Sequence, residues 1–109
     1  MEISIKKPEN ISVCDHPLAL HNLTIMRNKN TSAELFRNAT RRLAEVLFFS
    51  ATDNLPTIKT NIETPLVSTE SIIIDSSAEV IIAPILRAGL LFSEVACNLL
   101  PDATVQHIG

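Results

Sequence analysis

The run Pro84-Ile85-Leu86-Arg87-Ala88-Gly89 holds the residues of this chain best suited to chemistry. Arg87 is a permanently charged, planar fork that matches phosphate oxygens. Gly89, the only interior glycine, falls here too; glycine permits φ > 0 and a close approach of backbone to a ligand. The run falls where a short apolar stretch gives way to a helical pattern. Ligands of α/β proteins bind at the carboxyl ends of strands. A helix N-terminus adds unpaired amides and the positive end of the helix dipole. Residue types and place together point to an anion site for phosphate or pyrophosphate. On the residues alone, an arginine capping a sheet edge beside a glycine that eases a turn explains the run equally well.

Other chemistries find less support. The chain has two glycines in 109 residues, Gly89 and Gly109, so the multi-glycine phosphate cradles of nucleotide-binding proteins are excluded. His16, His21 and His107 are too scattered for a metal site, and structural roles are expected for them. Cys14 and Cys97 lie far apart without metal-type spacing and read as free buried thiols. The net charge is −3, the nine basic residues form no stripe, and there is neither Trp nor Tyr, which argues against nucleic acid as a partner. The polar start is unlike a secretory signal, and no apolar run is long enough to span a bilayer. The expected location is the cytosol, so the glycosylation-type triplets at Asn10, Asn22, Asn30 and Asn38 carry no meaning as such.

The elements that must position Arg87 can be sketched from pattern. Residues 1–15 read as a loose leader with a short extended piece at 11–13. Pro17 suits a first helical turn, and a helix is expected over 18–26 with a ragged apolar face at Leu18, Leu20 and Ile25. Thr31 with Glu34 predicts a capping box opening a helix that runs to about Ala51. Phe36, Ala39, Leu43, Val46 and Leu47 form its apolar stripe, and Arg37, Arg41 and Arg42 its solvated side. Residues 57–63 alternate like a strand, while 72–74 fit a further strand or the end of a helix. Residues 79–86 predict a strand buried on both faces, 89–100 a helix, and 103–108 a second strand. Strand, helix, strand over about thirty residues is a right-handed βαβ unit with a parallel pair.

The run from Pro84 to Gly89, followed by Leu90, resembles the signature of the uracil phosphoribosyltransferase family at its first pyrophosphate-contacting loop. The resemblance continues in order and spacing. His16-Pro17-Leu18 with His21, Leu23 and Arg27 is similar to the family's opening helix, and Asn28 and Asn30-Thr31 followed by Phe36-Arg37 to its next segment. Leu55-Pro56 and Glu63-Thr64-Pro65-Leu66 match the extended stretch that follows, and Pro101 with His107-Ile108-Gly109 matches the run after the helix that follows Gly89. Phe48-Phe49-Ser50 departs from the aromatic–acidic pair usual there. The resemblance covers 16–109 and only about the first half of a usual family member.

What it implies is an α/β fold of amino-terminal helices plus a βαβ unit, an incomplete part of a phosphoribosyltransferase-type parallel sheet. The implied reaction joins uracil to phosphoribosyl pyrophosphate, giving UMP and pyrophosphate with Mg²⁺ assistance. Arg87, Ala88 and Gly89 would meet the pyrophosphate. No catalytic residue and no direct metal ligand is assigned. The family's flexible arginine loop, its acidic Thr- and Gly-rich ribose-phosphate motif and its uracil-reading segment have no counterpart in 1–109. The expectation is a chain inactive alone, joined to a missing carboxyl-terminal half or to copies of itself through an exposed sheet edge. A non-catalytic interaction module and an unrelated anion-binding domain are the alternatives.

Overall fold

The computed structural model describes residues 10–109. Most of the expected leader therefore lies outside the described residues. Residues 11–13 are irregular and exposed, and form no strand.

Helix α1 spans Pro17–Arg27. Pro17 occupies the first turn, where its missing N–H is no loss. His16 is the cap: its Nδ1 accepts from the Leu18 amide at 3.1 Å. The helix buries Ala19 and Asn22, while Leu18 and Leu20, expected on the apolar face, are exposed. Helix α1 packs against α2, Ala33–Ala51, and the positions it buries there are Ala19 and Asn22 rather than the leucines. Asn22 is 2% exposed. Its Nδ2 donates to the Leu18 carbonyl at 2.7 Å, and its Oδ1 has no partner among the described residues.

The expected capping box is corrected by one residue. Ser32 is the N-cap and its Oγ accepts from the Leu35 amide at 3.2 Å. Thr31 instead donates its hydroxyl to the Ile25 carbonyl at 2.6 Å, tying the α1–α2 connection. Glu34 is then the second helical residue, a position favoured by the dipole but not one that closes a box. The stripe of α2 is also narrower than its pattern. Ala39, Thr40, Leu43 and Ala44 are buried, whereas Phe36 and Leu47 sit at the exposed rim. Arg37, Arg41 and Arg42 face solvent as expected, Arg41 meeting Glu94 at 3.4 Å.

Strands β1, Thr57–Glu63, and β2, Ser68–Ile74, pair antiparallel over their whole length, so 72–74 is strand rather than helix. Thr64 builds the tight connection, its hydroxyl and amide both donating to the Val67 carbonyl. The ribbon leaves Ile58, Ile62, Ile72, Ile73 and Ile74 exposed, and Leu66 at its tip is 96% exposed. It accounts for the elongated shape: the radius of gyration is 17.9 Å, against about 13 Å for a compact domain of this size.

Strand β3, Ile81–Ile82, helix α3, Leu90–Leu99, and strand β4, Thr104–Val105, form the βαβ unit, with the strands parallel. The two-residue ladder is extended by an isolated parallel bridge between Ile85 and Ile108. The expected strand over 79–86 is thus shorter, and it is not buried on both faces. Pro84 is buried and Ile82 half-buried, on one side of the pleat, while Ile81 and Ile85, on the other, are 48% and 67% exposed. Helices α2 and α3 cover only one face of the pair. The core is correspondingly thin, built on Ala19, Ala39, Leu43, Ala44, Val95 and Ala96. Cys14 and Cys97 are free and half-buried rather than buried.

Candidate functional site

The Pro84–Gly89 run lies at the carboxyl end of the parallel pair, where it turns from β3 into α3. Main-chain bonds climb the ladder in step. The amides of Thr104, Gln106 and Ile108 donate to the carbonyls of Val80, Ile82 and Pro84, at 3.0, 2.9 and 3.0 Å. Pro84 lacks an N–H, so the run's first returned bond is that of Leu86, whose amide donates to the Ile108 carbonyl at 2.8 Å. The turn then closes on itself. The Gly89 amide donates to the Ile85 carbonyl at 2.8 Å and the Leu90 amide to the Arg87 carbonyl at 3.1 Å. The Leu86–Arg87 peptide bond is cis.

Gly89 is required for space, not for backbone freedom. Its φ is −78° and ψ −6°, ordinary helical values that any residue adopts. A Cβ at this position would stand 2.8 Å from the Ile85 nitrogen, 2.9 Å from its carbonyl oxygen and 3.1 Å from the Pro84 Cβ.

Arg87 and Ala88 are exposed at the apex of the turn. Among the described residues the Arg87 side chain makes no hydrogen bond or ion pair. The amides of Arg87, Ala88, Leu91 and Phe92 find no acceptor there either. Arg87 is also the sole charged residue between Glu79 and Glu94, so no neighbouring carboxylate in this stretch competes with an anion. A lone guanidinium beside free amides at a helix start can hold phosphate oxygens by charge-assisted hydrogen bonds. The structure therefore brings Arg87, Ala88 and Gly89 together in one turn and adds the end of the β4 run, which the residues by themselves did not connect to the site. Only the β-ladder register carries that signal.

A wider cleft lies elsewhere among the described residues. About 750 Å³ in volume, it opens between residues 13–18 and α2 and is lined by Asp15, Glu45 and Asp53. Three carboxylates there disfavour a polyanion. An apolar hollow of about 360 Å³ lies beneath the turn, between α2 and α3, with Pro84, Gly89 and Phe92 in its wall. His16 serves as a helix cap, and His21 and His107 are exposed. Among the described residues no three His, Cys, Asp or Glu side chains converge to hold a metal ion, and no helix is long and apolar enough to cross a membrane.

Comparison with known proteins gives a consistent answer. The family described as uracil phosphoribosyltransferase matches residues 13–109. A uracil phosphoribosyltransferase of Thermosipho melanesiensis is 44% identical over 99 residues, covering 91% of this chain and 47% of that protein. One from Caulobacter sp. (strain K31) is 44% identical over 101 residues, covering 93% of this chain and 48% of the relative. The solved structure of the AQ2163 protein from Aquifex aeolicus superposes with a TM-score of 0.77 at 30% identity, over 88% of this chain and 46% of its own. The chain spans about half the length of the curated relatives it matches.

Proposed function

The chain belongs to the uracil phosphoribosyltransferase family, and from that premise we propose that its Arg87 turn receives the pyrophosphate end of phosphoribosyl pyrophosphate. The observation that carries the reading is Arg87 at the carboxyl end of a parallel strand, without an ion-pair partner among the described residues, with amides beside it that find no acceptor there and no carboxylate nearby in sequence. In the reaction uracil forms a bond to the anomeric carbon as that carbon's bond to pyrophosphate oxygen breaks. The leaving pyrophosphate keeps the electron pair. Arg87 and the amides of the turn would hold this growing negative charge, which lowers the barrier where charge develops. Gly89 would keep the turn tight enough to aim both. Mg²⁺ supplies further charge neutralisation when it accompanies the diphosphate. It would arrive on the phosphate oxygens, and no residue of this chain is assigned to it.

Residues 16–109 would form the amino-terminal portion of the domain, and they supply one wall of a site. The chain holds two glycines, too few for a second, glycine-rich phosphate loop that would grip the ribose 5′-phosphate. In this proposal the isolated 109 residues bind pyrophosphate weakly and form no UMP alone. A complementing carboxyl-terminal half would restore turnover. The test is to mix the purified chain with uracil, phosphoribosyl pyrophosphate and Mg²⁺ and to assay UMP, with and without such a half. UMP from the chain alone would overturn the inactivity; complemented UMP that survives Arg87→Ala would overturn the role of Arg87.

The open face of the β3–β4 pair favours a second reading, a non-catalytic module that associates with copies of itself or a longer relative. Ile81, Ile85 and Ile108 stand exposed on that face. Contiguous exposed apolar surface of this kind marks an interaction site. A well-behaved monomer in light scattering would count against it.

A further inference from the structure

We propose that Ile108 is a positioning residue for the anion site, its main chain gripping the Arg87 turn and setting where the guanidinium and free amides point. The inference rests on the proposed role of Arg87. Up the ladder, every second amide of the 104–108 run donates to the 80–84 run. At the turn itself Ile108 both gives and receives: its amide donates to Pro84 and its carbonyl accepts from Leu86. Beyond that point the amides of Arg87 and Ala88 have no acceptor among the described residues, and the chain is next anchored where the Gly89 amide meets Ile85. The exposed apex of the turn is thus suspended between two fixed points. One, at Gly89, is internal to the turn. The other is Ile108, about twenty residues later in sequence.

The grip is a main-chain property. The Ile108 side chain is about half exposed, so a smaller β-branched residue keeps it. Gly109 follows at φ +126°, a conformation that favours glycine. A Cβ on Gly109 would lie 3.4 Å from the Leu86 Cβ, an ordinary contact, so backbone angle rather than space selects the glycine. Charge-assisted hydrogen bonds weaken steeply with misdirection. A turn freed at Leu86 would keep its charge and lose its aim.

The test uses Mg²⁺–pyrophosphate as probe, titrated calorimetrically into the 109-residue chain, with far-UV circular dichroism to follow folding. Ile108→Val keeps both main-chain bonds and should bind as the parent does. Ile108→Pro removes the donor to Pro84 and should bind on the order of tenfold more weakly, the equivalent of about one lost hydrogen bond. A chain ending at His107 removes both bonds without inserting a ring and should bind at least as weakly. Amide exchange adds a local readout: Leu86 should lose protection in the chain ending at His107, which removes its acceptor, while Ala96, inside α3, keeps it. Arg87→Ala should bind weakest of all. No binding by the parent, or equal binding by Arg87→Ala, would overturn the anion reading itself. Arg87→Ala weak while Ile108→Pro and the shortened chain match the parent would overturn only the positioning role. Loss of helical signal in both Ile108 variants would overturn it too, since Ile108 would then hold the fold and not the turn.

Discussion

Replacing Gly89 with alanine sets two effects of opposite sign against each other. Gly89 has helical angles, φ −78° and ψ −6°, and stands directly before Leu90. At such a position Gly→Ala reduces the freedom of the unfolded chain and should stabilise by about 0.4–1 kcal/mol. The new methyl, however, would be 2.8 and 2.9 Å from the nitrogen and oxygen of Ile85. Both are main-chain atoms and cannot swing aside. Ordinary contact begins near 3.4 Å, so Ile85 or the start of α3 must retreat by about 0.6 Å. The Gly89–Ile85 hydrogen bond spans that gap. Overpacking of this kind costs about 1–3 kcal/mol, and stretching the bond adds to it. The clash should win, with a net loss of about 1–2 kcal/mol and a melting temperature lower by roughly 4–16 °C for a domain of this size. The assay is thermal unfolding followed by circular dichroism, with pyrophosphate titration on the folded variant. A Gly89→Ala chain that melts at or above the parent and binds equally would refute the argument that close approach dictates this glycine.

The buried Asn22 has an Oδ1 with no partner among the described residues, so Asn22→Ala should cost less than about 1 kcal/mol in urea unfolding, and a larger loss would show a hidden partner. Ser32→Ala should destabilise by about 1 kcal/mol because the true cap of α2 is lost, whereas Glu34→Gln should change little; the reverse pattern in urea midpoints would restore the capping box. Asp75 is held below its ordinary carboxyl value of 3.8 by hydrogen bonds from the Ser77 amide and hydroxyl. Its folded value being depressed, its contribution to stability is present above the ordinary value and is lost as pH falls through the folded one. A carboxyl titration by NMR should find Asp75 moving up in Ser77→Ala, and an unmoved value would remove the hydroxyl from the account.

Much of the local structure was legible because it is local. Pro17, the polar break before α2 and the alternation from Thr57 to Glu63 mark elements through forces acting within a few residues. The strand–helix–strand order was legible for the same reason, since an apolar run, a helical stripe and a second apolar run suffice to announce it. Errors of the sequence reading cluster where a neighbour decides. Leu18 and Leu20 of α1 face outward because the side that packs on α2 carries Ala19 and Asn22, and Thr31 yields the cap to Ser32 because its hydroxyl is drawn to Ile25 in the preceding helix.

For the site, the residue types of Pro84 to Gly89 by themselves determined that an arginine and a glycine share a strand-to-helix turn, since both lie within six residues of one another. Tertiary structure decided the rest. It showed Gly89 pressed on Ile85, Arg87 without an acid to pair with among the described residues, and the turn held by Ile108, beyond the end of β4. Those facts depend on parallel register, a relation between segments about twenty residues apart, and no local pattern of side chains encodes which main-chain groups will meet across a ladder.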